Sequence, residues 1–484
     1  MTIGKTMIAA SLAAAFLSGH ASAGQGPSSS DTPYLVPVQS GVEFASILTV
    51  GDAVKKKHDG NETYRMVGIP DGLGAYDNGD GTITVLMNHE LGAASGVVRA
   101  HGGTGAFVSK WQIRKSDLAV LNGEDLIKTV KLWDAGSQSF VQTAGVKFNR
   151  FCSADLPKPS AFYNSKTGLG FSEGRIYMNG EETSGGRAFA HIVAGREHGI
   201  SYELPSMGRA AWENTVASPY EQDKTVVIGM DDSTPGAVYL YLGNKQDHGS
   251  PIEEAGLQGG TLYAIGVTGI AAEDRVAGIP AGTRFSLVAP ASGTKFLRPE
   301  DGAWDTVNPN RFYFVTTDRY DQVKDGVGST VGRSRLWRLT FDNIENPEAG
   351  GSIEMMLDGT EAGNMYDNIT VDSNGNVILL EDVGNQQHNG KVWKYEPVTD
   401  ALTLLGKHDP ARFGDIGISA GSGFNQDEES SGVIEVTEFF TGVEGYQTEH
   451  YRYFLLDVQA HTNISGADPE LVEKGQFLMM RTWK

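Results

Sequence analysis

Apolar and polar positions along the chain alternate in short runs. Stretches rich in Val, Ile, Leu, Tyr, Phe and Trp recur between clusters of Gly, Asn and Asp, which is how strands joined by turns read in a sequence. Patterns that predict a long helix are few. Several stretches share one plan: a turn, an apolar strand that ends in acids, a Gly-containing loop, then an aromatic-containing strand. "GDGTITVLMNHE" is followed by "AFVSKWQIRKSDL", "EGRIYMNGEE" by "GGRAFAHIV", and "KTVVIGMDD" by "GAVYLYLGNK". "NRFYFVTTD" is followed by "SRLWRLTFD", "GNVILLEDVG" by "GKVWKYEPV", and "SGVIEVTEFF" by "YRYFLLDVQAH". Small antiparallel sheets arranged radially, an all-β six-bladed β-propeller, fit these units best; a β-sandwich with long insertions is the alternative.

The N-terminal stretch departs from this pattern. Lys5, the apolar run 7–17 and the small residues Ala21, Ser22 and Ala23 predict a secretory signal over 1–23 and a periplasmic or secreted mature chain. The apolar run is too short to span a bilayer, and nothing later is long enough, so no membrane insertion is expected. After "GQGPSSSDTP" at 24–33 no linker-like segment interrupts the chain, which predicts a single domain over 24–484. Glycine, 62 of 484 residues, is well above the usual ~7% and suits many tight turns.

Charge narrows the partners. The net charge of −21 argues against nucleic acid and anionic lipid, and against a phosphorylated ligand unless bound cations reverse the local field. A monomer is expected. The single cysteine, Cys152, excludes an internal disulfide. It is a small buried apolar residue, a surface thiol or a metal ligand.

In a propeller the innermost strands line a central channel, and acids at their ends converge at one mouth. Glu90, Glu181, Glu182, Asp231, Asp232, Asp318, Glu381 and Asp382 are expected to hold that position in their units. Crowded carboxylates repel unless cations neutralise them, and hard oxygen ligands suit Ca²⁺.

Further motifs surround these acids. In "FLRPEDGAWDTVNPNRFYFVTTD", 296–318, Arg298 and Glu300 flank a proline ahead of a strand. "MGRAAWENTVAS", 207–218, carries Glu213; "MYDNITVDSNGNVILLEDVGN", 365–385, reads as a hairpin; "DEESSGVIEVT" and "LLDVQAH" close the chain. Together with Cys152 in "KFNRFCSADLPKP", these resemble the PhoX-type alkaline phosphatases, from about Asn88 to about His461. Arg-Pro-Glu followed by a strand ending in Thr-Thr-Asp is the most specific element.

The resemblance implies a six-bladed propeller with loop and short helical insertions. It also implies a secreted phosphatase that hydrolyses small-molecule phosphate esters with calcium (Ca²⁺) and an iron pair (Fe³⁺) at the channel mouth. By resemblance Cys152 is an iron ligand, and thiolate suits a transition metal far better than calcium. Glu213 and Glu300 resemble metal-binding carboxylates, Glu181 and Glu182 the pair after the cysteine segment, and Arg298 the guanidinium that holds phosphate oxygens. Glu429 in "DEESSG" and Glu90 in "NHE" are further candidate ligands. The sequence departs from the family in three places: the signal has no twin arginine, "FCSADL" replaces Asn-Cys-Ala-Gly-Gly, and Trp212 stands where the family has a histidine. His89 and His191 are expected to be structural, and "AHGGTGAF" at 100–107 to be a turn. No GxSxG, HExxH, P-loop or CxxC occurs. The alternatives are a calcium-dependent propeller hydrolase of another class, such as a lactonase, or a non-enzymatic exported propeller stabilised by calcium.

Overall fold

The computed structural model describes residues 24–464, 466 and 468–484; the expected signal lies outside them. The six units fold as six blades around one channel. Their innermost strands are Pro70–Asp77, Phe151–Asp155, Trp212–Ala217, Pro299–Trp304, Tyr366–Val371 and Glu428–Glu435, in blades 1 to 6. Each packs beside the next, and the last returns to the first, so the ring is closed.

Strand alternation builds the core. Successive residues of a buried strand face opposite sides, and here each side meets a different neighbouring blade. Val85 joins the layer between blades 6 and 1, and Leu86 the layer between 1 and 2. Tyr177 and Met178, Val227 and Ile228, Phe314 and Val315, Leu379 and Leu380, and Leu455 and Leu456 divide in the same way. Six apolar layers therefore separate six sheets, and the uninterrupted apolar runs follow from burial on both faces.

The ring is fastened by the chain's first strands. Glu43–Thr49 forms the outer strand of blade 6, antiparallel to Glu473–Trp483, with Glu43 opposite Arg481. Leu35–Pro37 adds to blade 5 and Ala53–Lys56 to blade 1. Blades 3 and 4 share one continuous sheet where Thr283–Val288 pairs with Gly351–Leu357. The α-helices, Pro251–Glu254, Gln322–Asp325 and Pro410–Phe413, are single turns in loops. Among the described residues no helix is long and apolar enough to cross a membrane.

The sequence units are offset from the blades. In the first five, the strand expected to be innermost is the second strand of its blade. In the sixth, "SGVIEVTEFF" falls in the innermost strand itself. The true innermost strands carry polar residues among the apolar ones, so they lack the uninterrupted apolar run that marks the strand behind them.

Candidate metal centre

The second residue of each innermost strand supplies one side chain to the channel mouth: Asp71, Cys152, Glu213, Glu300, Asp367 and Glu429. In blades 1 to 5 the strand bulges at this point. The ligand and the residue after it oppose a single residue of the neighbouring strand, as Cys152 and Ser153 oppose Gly180 between the pairs Phe151–Glu181 and Ala154–Asn179. A bulge turns two consecutive side chains toward one side. Cys152, Glu213, Glu300 and Asp367 accordingly line the mouth, while Ser153, Asn214, Asp301 and Asn368 line the channel beyond it. In four blades the residue ahead of the strand is left-handed: Ile69 (φ 52°), Arg150 (φ 52°), Arg298 (φ 59°) and Met365 (φ 49°). That conformation is costly for a side chain larger than glycine and gathers at functional sites.

A second row comes from the ends of the strands behind. These run antiparallel to the innermost ones, so their ends lie beside the ligand positions. Glu90, Glu182, Asp232, Asp382 and His461 line the mouth from there.

Of each neighbouring pair of acids only the second does so, because consecutive residues face opposite ways. This corrects the placement expected for several residues. Glu181 lies away from the cluster, with both carboxylate oxygens 2.7 Å from Arg187. Asp231 accepts from Ser233 Oγ and the Ala211 amide. Glu381 is held by His388 and Trp393, and Asp318 by Arg275. Trp212 faces the core between blades 2 and 3. A Cβ at Gly180 would stand 2.3 Å from its own Cβ, and one at Gly229 2.5 Å from its ring, so only glycine fits at either place. His89 is buried, stacked on Phe107, and bonded to Ser109 Oγ at 2.9 Å; His191 bonds Asn179 at 2.8 Å.

Four groups of three side chains bring ligand atoms within 4.8 Å of one another: Asp71, Glu90 and Cys152; Cys152, Glu182 and Glu213; Glu213, Glu300 and Asp367; and Asp367, Asp382 and Glu429. Oxygens on opposite sides of a calcium ion, each at 2.3–2.6 Å, stand roughly 5 Å apart, so the spacing matches. Cys152, Glu213 and Asp367 each belong to two groups. Asp71 Oδ1, Glu213 Oε1 and Asp367 Oδ1 are buried without a hydrogen-bond partner, which is costly for a carboxylate.

Protonation records the same crowding. Burial, the largest cause, and neighbouring carboxylates push Asp71, Glu182, Glu300 and Asp367 well above the ordinary carboxylate range. Glu213 is pushed up to about 8 and Glu429 to about 7 for the same reasons. Burial, then Asp71, also pushes the Cys152 thiol up. These six acids hold their protons more tightly than free carboxyl groups do, and a bound positive charge would reverse that. The donor set, oxygen-rich with one sulfur, fits hard cations along most of the ring and a softer transition metal on either side of Cys152.

Two arginines face this acid ring. Arg298 binds Asp232 through two bonds of 2.9 Å and reaches Glu300 Oε1 at 2.8 Å. Arg150 reaches Glu90 Oε1 at 2.6 Å and bonds Glu182 through Nε at 3.0 Å. The Arg150 side chain is 48% exposed and that of Arg298 27%, so both guanidiniums also meet the opening of a cavity of about 360 Å³.

Arg150, Asp71, Asp367 and His461 were not among the candidates read from the sequence. The signal was present. "IPDG", "RFCS", "AWEN", "RPED" and "MYDN" each place a proline or aromatic residue, a ligand, then glycine or a small polar residue at the start of an innermost strand.

No family model matches the chain, and no curated protein sequence matches it. Among solved structures the chain is similar to Pseudomonas fluorescens PhoX in complex with vanadate, a transition state analogue. The TM-score is 0.58 at 11% identity, over 95% of this chain and 98% of that one. The chain has a PhoX-like fold. A fungal alcohol oxidase of the AA5 family in complex with copper (TM-score 0.36, 8% identity, 87% of this chain and 76% of that one) is similar to a lesser degree. So is a gluconolactonase, XC5397 from Xanthomonas campestris (TM-score 0.28, 10% identity, 90% and 98%). Neither bears on the chemistry.

Proposed function

We propose that this protein is an exported, metal-dependent hydrolase of small phosphate esters that acts at the propeller mouth. One observation carries the reading: six innermost strands bring six acid or thiol side chains to matched positions, with two partly exposed arginines beside them. Carboxylates would hold Ca²⁺ at Glu213, Glu300 and Asp367 and at Asp367, Asp382 and Glu429. Cys152 would hold iron, with Asp71 and Glu90 on one side and Glu182 and Glu213 on the other.

When bound, such cations neutralise the acids, draw in phosphoryl oxygens and supply a hydroxide at neutral pH. The chain's own groups supply binding and orientation. A guanidinium fork fits two phosphate oxygens, and Arg298 offers it from a backbone fixed ahead of its strand. Asp232 and Glu300 hold that fork at the opening of the cavity. Arg150 stands over Glu90 and Glu182 in the same relation, so two forks flank one cavity. Charge that develops on the transferring phosphoryl group would meet both. The resemblance of "RPE" to the phosphatase motif and the PhoX-like fold support this reading.

The test is turnover of a chromogenic phosphomonoester and the matching diester by protein of measured metal content. Chelated protein is expected to be inactive and to recover with Ca²⁺, alone or with Fe³⁺. Fully loaded protein that cleaves neither ester overturns the proposal. Cleavage of a lactone by that protein would put it in the other hydrolase class.

A further inference from the structure

The six ligand positions do not make a continuous ring of cation sites. The four groups run from Asp71 through Cys152, Glu213, Glu300 and Asp367 to Glu429, and among the described residues none joins Glu429 back to Asp71. That gap holds a neutral side chain. Gln459 is fully buried, and its Nε2 lies 2.8 Å from Asp71 Oδ2, 3.1 Å from Glu90 Oε2 and 3.2 Å from Glu429 Oε1.

The backbone explains why glutamine reaches this place in blade 6 and no counterpart does elsewhere. In blades 1 to 5 the bulge falls at the ligand, so no residue of the second strand is in register with it. In blade 6 the bulge falls later, between Ser431 and Val433, and Glu429 pairs directly with Gln459. Directly paired residues share a face, so the Gln459 side chain enters the ring with Glu429. It bridges to the acids of blade 1.

We infer that Gln459 closes the ring in place of a cation and so confines bound ions to the arc from blade 1 to blade 6. Its two N–H groups stand among three carboxylates from three strands, where a divalent ion would otherwise sit. An amide carries no net charge and needs no ion supply. The junction that closes the propeller is thereby held whether or not the arc is loaded. The inference rests on the metal-centre reading proposed above.

Gln459→Glu replaces the donor with a fourth carboxylate of the same length. Equilibrated with Ca²⁺ and desalted, this variant is expected to retain one more ion per chain than the wild type, measured by elemental mass spectrometry. An unchanged count overturns the inference while leaving the metal centre intact. A wild type that retains no ion overturns both.

Gln459→Met, which keeps the length without N–H groups, serves if the glutamate variant does not fold. Its metal-free melting temperature is expected to fall below that of metal-free wild type, and the deficit to shrink when Ca²⁺ fills the gap. A deficit of the same size with and without Ca²⁺ makes Gln459 a packing residue and overturns the inference.

Discussion

Cys152 Sγ lies 3.3 Å from Asp71 Oδ2, with both side chains buried and drawn from neighbouring blades. The thiol donates to the carboxylate, and both groups are held well above their ordinary pKa values by burial and surrounding acids. In the metal-free protein Cys152 is therefore a protonated thiol at pH 8. A thiol reagent is expected to modify it at least ~10²-fold more slowly than in the unfolded chain. After loading with Fe³⁺, a thiolate-to-metal charge-transfer band is expected in the visible spectrum and is absent from Cys152→Ser. Fast labelling of the folded metal-free protein would contradict this geometry, and an unchanged spectrum in the serine variant would remove Cys152 from the metal.

Metal-free protein is expected to lose stability as pH rises. Glu213 at about 8 and Glu429 at about 7 both lie above the ordinary glutamate value of 4.5. A carboxyl whose pKa is raised by folding contributes its full stability below the unfolded value and loses it as pH climbs through the folded one. The window runs from about pH 4.5 to about pH 8, and the combined loss is on the order of a few kcal/mol. Urea midpoints across that range, with EGTA, are the measurement. Added Ca²⁺ is expected to flatten the profile, because an ion favours the ionised acids.

Arg298→Ala is expected to act on two quantities. Competitive inhibition by inorganic phosphate weakens, and kcat/KM for a phosphomonoester falls by about 10²-fold or more. Arg298→Lys does not restore it, because a point charge cannot replace the fork. Removing the guanidinium also leaves Asp232 and Glu300 unpaired, which costs the metal-free protein about 3 kcal/mol or more. Ca²⁺ is expected to recover that stability without restoring turnover. Wild-type phosphate inhibition in a folded alanine variant would take Arg298 out of the substrate site.

Glu181 and Glu182 are expected to separate cleanly. Glu182→Gln lowers the number or affinity of bound ions in an equilibrium titration. Glu181→Gln leaves both unchanged and lowers the melting temperature, because Arg187 loses its partner. An equal effect of the two substitutions on ion binding would mean that Glu181 turns into the mouth.

The number of blades was legible because the second and third strands of most blades are long, apolar and bounded by turns. What those runs do not reveal is which strand is innermost. Pro70–Asp77 and Tyr366–Val371 are interrupted by Asp, Asn or Gly, so Asp71 and Asp367 read as turn acids. Cys152, Glu213 and Glu300 stood out through the phosphatase resemblance. Paired acids such as Glu381 and Asp382 stood out by their charge, yet charge alone does not say which faces the mouth; strand register does. Arg150 and Gln459 carry no motif. Arg150 reaches Glu90 because blade 2 packs beside blade 1, and Gln459 reaches Asp71 only through the ring's closure.

Blade 6 is assembled from both ends of the described chain, with Glu43–Thr49 laid against Glu473–Trp483. The fastening sets an order in time. Glu429 and Asp71 are strangers, 358 residues apart in sequence, until the last strand has been made and the first has returned to it. Five blades can stack beforehand, but the mouth does not exist as one surface until that moment. The ion groups of blades 1 to 5 need only neighbouring blades, so what this last meeting completes is the Gln459 bridge between Glu429 and Asp71.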